Sequence, residues 1–146
     1  MAVQRKTDIT NKPFWLSMMV LTKDAETVAQ DAGRSGDMVV NTLMAYNPTS
    51  KKWEPFSDET ATDGTQYPKG ILQRTLTEAQ IKAGDVSDVP IAVGEGIFDS
   101  AQLVIENSKT LATIINVPAN FNTSVEDFLR LLNLYAESVI DTTAAA

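Results

Sequence analysis

The sequence predicts a mainly β (α+β) fold: a small barrel- or sandwich-like domain with an extended N-terminal arm and a C-terminal helix. Three observations carry this expectation. Short β-prone runs alternate with clusters of turn residues through most of the chain. The first dozen residues are polar and show no helical or strand periodicity. An apolar stripe at helical spacing follows Ser124. A chain of 146 residues has room for one core, and 43% hydrophobic with 21% charged residues is ordinary globular usage.

Residues 1–16 read as a flexible arm, polar through Arg5, Lys6, Thr7, Asp8 and Lys12. Phe14-Trp15-Leu16 and then Met18-Met19-Val20-Leu21 form an apolar block too dense for a free tail, so the chain docks here on its own core or on another protein. The β-rich body spans residues 17–140. Residues 24–36 are polar and read as a loop or turn. Met38-Val39-Val40 and Leu43-Met44-Ala45-Tyr46 are strand candidates that stop at the turn residues Asn47-Pro48-Thr49-Ser50. Residues 51–56 form the return strand with Trp53 on one face, and Pro55, which has no N–H to donate, marks an edge or the strand's end.

A polar turn over 58–64 leads into a strand at 67–72, and residues 77–82 suit a brief helical turn. The longest strand candidate runs from Asp88 to Phe98; Gly94 and Gly96 within it suggest a bulge or a close backbone approach. Residues 102–105 and 113–117 are two more β-prone runs. The C-terminal helix is expected over 124–140. Ser124 caps it, Asp127 sits three residues on, and Glu126 meets Arg130 one turn later. Val125, Phe128, Leu129, Leu132, Tyr135, Val139 and Ile140 make its apolar stripe, which Leu131 and Leu134 widen. Covering its own sheet is the plain reading of that stripe, and contact with a neighbouring subunit the other. Residues 141–146 are a tail.

Composition excludes several chemistries. Cysteine and histidine are both absent, which removes disulfides, thiolate nucleophiles, the commonest general base and the commonest metal ligands. With 12 basic against 19 acidic residues the net charge is −7, and no basic run offers a footprint for phosphate backbones. Nucleic acid and membrane are therefore not expected partners; the product is expected to be soluble and made in the cytoplasm. Gly94-Glu95-Gly96 begins like a dinucleotide-binding turn, but Asp99 stands where a third glycine belongs, and a strand bulge accounts for it. Asp58, Glu59 and Asp63 resemble a calcium loop only loosely, and a solvated acidic loop is the better reading. Asn122-Thr123-Ser124 matches a glycosylation sequon, yet Ser124 is already explained as a cap. Tyr46 and Trp53, on neighbouring strands, are either a cross-strand core pair or an aromatic platform for a sugar or peptide. No catalytic, cofactor-binding or metal-binding residue is singled out.

From about Gly36 to Val104 the chain resembles the lambdoid phage head decoration protein family. The resemblance lies in an ordered series: Gly36-Asp37-Met38-Val39-Val40, then Tyr46-Asn47-Pro48 with the return strand through Trp53, then Thr62-Asp63-Gly64-Thr65, Gly70-Ile71-Leu72 and Val89-Pro90-Ile91-Ala92-Val93-Gly94-Glu95-Gly96. It implies a small tulip-like β domain that trimerises at threefold and quasi-threefold sites on the outer surface of an expanded capsid and cements it, with the major capsid protein and itself as partners and the virion as its location. It further implies that the N-terminal arm contacts the lattice, which assigns Pro13, Phe14, Trp15 and Leu16 to capsid binding. An arm of about 13 residues reaches roughly 40 Å when extended. Trp53, Pro90, Phe128 and Leu131 are the candidates for trimer or core packing. The expected function is thus non-enzymatic capsid decoration without a cofactor; the alternative is a sugar- or peptide-binding β module.

Overall fold

In the computed structural model, which describes residues 13–17 and 19–138, five strands close into a barrel. They are β1 (Leu21–Val28), β2 (Leu43–Asn47), β3 (Lys52–Pro55), β4 (Pro68–Leu72) and β5 (Val86–Gly94), in spatial order β1-β3-β2-β4-β5 with β5 returning to β1. A short helix, α1 (Glu78–Ala83), lies between β4 and β5. Beyond the barrel come β6 (Gly96–Asp99), a 3₁₀ turn at Ser100–Gln102, β7 (Ile114–Ile115), β8 (Thr123–Ser124), α2 (Val125–Leu131) and β9 (Leu134–Glu137). This is the mainly β barrel with a helix near the C-terminus that the sequence predicts. No helix among the described residues is long and apolar enough to cross a membrane.

Local chemistry builds the first hairpin. Asn47 Oδ1 accepts from the amides of Thr49 (2.9 Å) and Ser50 (3.2 Å), and Lys51 N donates to Asn47 O (2.8 Å). Lys51 takes a left-handed conformation, φ 58°, and the chain returns with Tyr46 opposite Trp53. α1 is set by a capping box: Gln80 N donates to Thr77 Oγ1 (3.2 Å) and Thr77 N to Gln80 Oε1 (3.0 Å).

Two apolar cores share one wall. Met44, Trp53, Leu72, Val89 and Ile91 belong to one buried cluster, and Leu43, Ala45, Ile71 and Ala92 to another. Successive residues of a strand point to opposite faces. The first cluster is therefore the barrel lumen and the second the outside of the β2-β4-β5 wall. Met38, Leu76 and Ile81 join the lumen cluster from outside the strands and close the end nearest α1. Phe14, Phe98, Ile115, Val125, Leu129 and Leu134 cover the outer face. Each such side chain contributes roughly 1.5–3 kcal/mol on burial.

The structure departs from expectation at five places. Residues 21–28 form β1, although their composition reads as polar; its burial is largely confined to Val28, so backbone pairing with β5 rather than side-chain burial makes it a strand. Of Met38-Val39-Val40 only Met38 is extended, in a single bridge to Leu76; the chain turns at Asn41, φ 74°, and leaves Val39 and Val40 exposed. Residues 102–105 contribute only one bridge, Val104 to Thr42. The long strand at 88–98 is broken at Glu95, φ 61°, and its second part leaves the barrel to pair with β9 in parallel. Finally, the helix expected over 124–140 ends at Leu131. Asn133, φ 58°, turns the chain so that Leu134 enters the outer core beside β6, and this pairing outweighs helical propensity in residues 134–137. Its start is as expected, with Asp127 N donating to Ser124 Oγ (3.1 Å) and Arg130 meeting Glu126 (3.1 Å). The one cis peptide bond among the described residues precedes Pro118.

Trp53 fits the lumen because position 70 has no side chain: a Cβ there would lie 2.5 Å from Ile91 Cγ2 and 3.0 Å from Trp53 Cζ3. Gly70→Ala is expected to lower stability by about 1–3 kcal/mol through overpacking, read as a reduced midpoint in urea unfolding. An unchanged midpoint would mean that Trp53 is free to move aside.

Candidate functional site

Two surfaces stand out, and the first is built where the N-terminal segment meets β6. Leu16 N donates to Ile97 O (2.7 Å), Asp99 N to Phe14 O (2.8 Å) and Ile97 N to Ser17 Oγ (3.1 Å), so residues 14–17 run antiparallel to β6 on the edge opposite β9. Phe14 is buried, its ring stacked 5.5 Å from that of Phe98, and Trp15 packs edge-on to both. The Trp15 Nε1 donates to Gln73 Oε1 (2.8 Å). A Cβ at Gly96 would lie 2.4 Å from Trp15 Cζ3, which is the close backbone approach expected of this glycine.

The apolar block at Phe14 therefore docks on the chain's own core, and the folded domain begins before residue 17. Of the four residues assigned to the arm's contact, Phe14 is in the core, Trp15 is half-buried against it, and Pro13 and Leu16 are exposed. Leu16 joins Met19 (81% exposed), Ile97 and Tyr135 in an apolar row on the outer side of this small sheet. A shallow groove of about 490 Å³ runs beside it, floored by Gly96 and edged by Glu95 and Asn133. The strand directions bring both chain ends to one place. Residue 13 leaves at the Asp99 end of β6, held by Gln102 Nε2 on Pro13 O (3.3 Å), and β9, parallel to β6 with Glu137 opposite Asp99, leaves at the same end.

The second surface is the open end of the barrel. All five strands contribute to a cavity of about 490 Å³ around Tyr46, Trp53 and Lys69. Trp53 is only 4% exposed and its ring centroid lies 5.3 Å from that of Tyr46 at an interplanar angle of 58°. It is a core residue, and its face is closed to a stacking sugar.

The remaining packing candidates separate clearly. Pro90 is half-buried on β5. Phe128 stacks on Tyr67 (5.3 Å, 15°) beside Phe121, whereas Leu131 is 71% exposed at the end of α2. The row of Ile97 and Tyr135 escaped sequence reasoning because it depends on the parallel pairing of β6 with β9, which has no local signature.

The acidic loop is tied up within the fold. Asp58 Oδ1 accepts from Thr60 N and Oγ1, and Asp63 Oδ1 from Thr65 N and Oγ1. Glu59 pairs with Lys109 (2.8 Å). Hydrogen bonds from Thr60, Lys109 and Thr65 hold the carboxyls of Asp58, Glu59 and Asp63, respectively, below their ordinary values. Glu54 behaves in the opposite way: burial first, and the charge of Asp63 second, raise its carboxyl above 4.5. No group of three or more acidic side chains among the described residues is arranged to hold a metal ion.

A raised carboxyl favours the fold while protonated, so its contribution is complete below the unfolded value and lost as pH rises through the folded one. Glu54→Gln should therefore be more stable than the wild type at pH 7, with the gap closing below about pH 4; thermal melts across that range would read it, and a pH-independent gap would refute the assignment. Phe14→Ala should cost about 3 kcal/mol as a core truncation, measured by chemical unfolding, while removal of residues 1–12 should leave the unfolding midpoint in place. No protein-family model matches the sequence, and no curated protein matches it.

Proposed function

We propose that the chain is a non-enzymatic phage decoration protein, which binds the outer surface of the expanded head as trimers at threefold and quasi-threefold sites and stabilises the shell. Its partners in this reading are the major capsid protein and two further copies of itself, its place is the virion, and it needs no cofactor. The observation that carries the reading is that residues 13 and 138 leave from one end of the 14–17/β6/β9 sheet, whose outer face exposes Leu16, Ile97 and Tyr135. A body with its attachment segments and its exposed apolar row on the same small sheet suits clamping onto a lattice. The resemblance to head decoration proteins from Gly36 to Val104 supports the same reading. β9 pairs only with β6 among the described residues, so its other edge is open to strand addition. Three weak attachments on one trimer act at high effective concentration, which lets short segments hold firmly.

Because Phe14 belongs to the core, the informative truncation stops at residue 12. The full chain is expected to sediment alone as a trimer and to co-sediment with emptied, expanded capsids. The chain lacking residues 1–12 should remain a folded trimer and stay in the supernatant. A monomer that ignores capsids would overturn the proposal.

A further inference from the structure

The barrel lumen is filled from one end only. From the α1 end, Ile81, Leu76 and Met38 are followed by Met44, Leu72, Val89 and Ile91, all at most 1% exposed, up to Trp53. Above Trp53 the packing stops and the lumen opens into the cavity of about 490 Å³. Tyr46 and Val93 form its walls, and Lys23, Glu26 and Lys69 its polar lining. Its size lies within the roughly 300–1,000 Å³ range of small-ligand sites, and barrel mouths are a recurrent place for them.

The chemistry of the mouth is not that of the rest of the surface. Two ammonium groups face one carboxylate in a chain whose net charge is −7. Lys23 and Glu26 are joined only loosely, at 3.8 Å. The Lys69 side chain makes no hydrogen bond or ion pair with any described residue. The indole N–H of Trp53 is buried without an acceptor among the described residues and is closed to solvent, which makes it a reporter beside the mouth and not one of its contacts. Apolar walls and a surplus of positive charge together define what fits: an apolar body carrying one negative, hydrogen-bond-accepting group. A neutral sugar fits poorly, because the Trp53 ring is covered and the charge at Lys69 would go unused.

We propose that the barrel mouth binds a small amphipathic carboxylate, its apolar body against Tyr46 and Val93, above the covered Trp53, and its carboxylate on Lys69. The inference is independent of capsid decoration, since the mouth is lined by the five barrel strands and Leu132 and shares no lining residue with the groove beside the small sheet.

The test uses the full chain labelled with ¹⁵N, without capsids. The two indole N–H resonances are assigned with a Trp15→Phe variant, and the protein is titrated with 3-phenylpropionate and with its neutral counterpart 3-phenylpropan-1-ol. The expected result is a saturable shift of the Trp53 indole signal, with the carboxylate bound at least about tenfold more tightly than the alcohol, the order expected for one charge-assisted contact. Lys69→Gln should abolish that preference without changing the alcohol's affinity, and Lys51→Gln, at the exposed hairpin turn, should change neither. Absence of a saturable Trp53 shift up to about 10 mM carboxylate, weaker than almost any functional affinity, would overturn the proposal. Equal affinity for the two compounds, or a preference that survives Lys69→Gln, would overturn it as well.

Discussion

Burial of the β2-β4-β5 wall on both faces is the constraint on which the rest of the structure depends. Leu43, Met44 and Ala45 are consecutive and wholly buried, as are Ile71 with Leu72 and Ile91 with Ala92. A strand that is apolar on both faces needs a layer on each side. Closing the barrel covers one face. The other must be covered by chain from outside it, and the segment from Gly96 to Glu137, with Phe14 and Trp15 added from the N-terminal side, supplies that layer. Little of this layer is regular, since β7 and β8 have two residues each, but it carries the larger share of the aromatic side chains.

A layer made of short elements needs ties, and these come largely from polar side chains across long sequence separations. Arg34, nearly buried, binds Glu106 and the carbonyls of Gly36 and Asp37, fixing the loop before β2 to the one after Val104. Lys109 reaches Glu59, and Asn107 Nδ2 donates to Ser57 O (3.1 Å), so the acidic loop is stitched to the same region. Tyr67 Oη donates to Val117 O (2.9 Å) while its ring carries Phe121 and Phe128. Charged partners that are partly withdrawn from water hold position better than exposed pairs, whose contribution is small. The exposed pair of Lys82 with Glu78 belongs to the second kind.

This arrangement separates two surfaces that a small domain would ordinarily merge. The outer layer ends in the small sheet, from one end of which residues 13 and 138 lead away, and the barrel strands with Leu132 make the mouth around Lys69 and Tyr46. Attachment to a lattice through the first would leave the barrel strands free of the work of binding. The acidic character of the whole chain suits a body that is exposed to solvent, since net charge of one sign keeps such bodies apart.

What the sequence by itself determined is what short-range chemistry specifies. The hairpin at Asn47, the capping box at Thr77, the N-cap at Ser124, the apolar runs of β2, β4 and β5, and the close approach at Gly96 all have local signatures, and all are present. The mouth was half legible, since Tyr46 and Trp53 were paired by their positions across a turn, but Lys69 and Val93 reach it from strands whose neighbours no local pattern names. Only the tertiary structure decided that the polar residues 21–28 close the barrel, that the strand after Gly94 breaks at Glu95 and changes sheet, that the helix stops at Leu131, and that Phe14 belongs to the core. Each of these rests on a contact between segments far apart in the chain, such as Trp15 with Gln73 at a separation of 58 residues. The physical reason is the same in every case: backbone pairing and the filling of a shared core reward whichever segment arrives with the right shape, and that reward exceeds the few tenths of a kcal/mol per residue by which local propensity distinguishes helix, strand and loop.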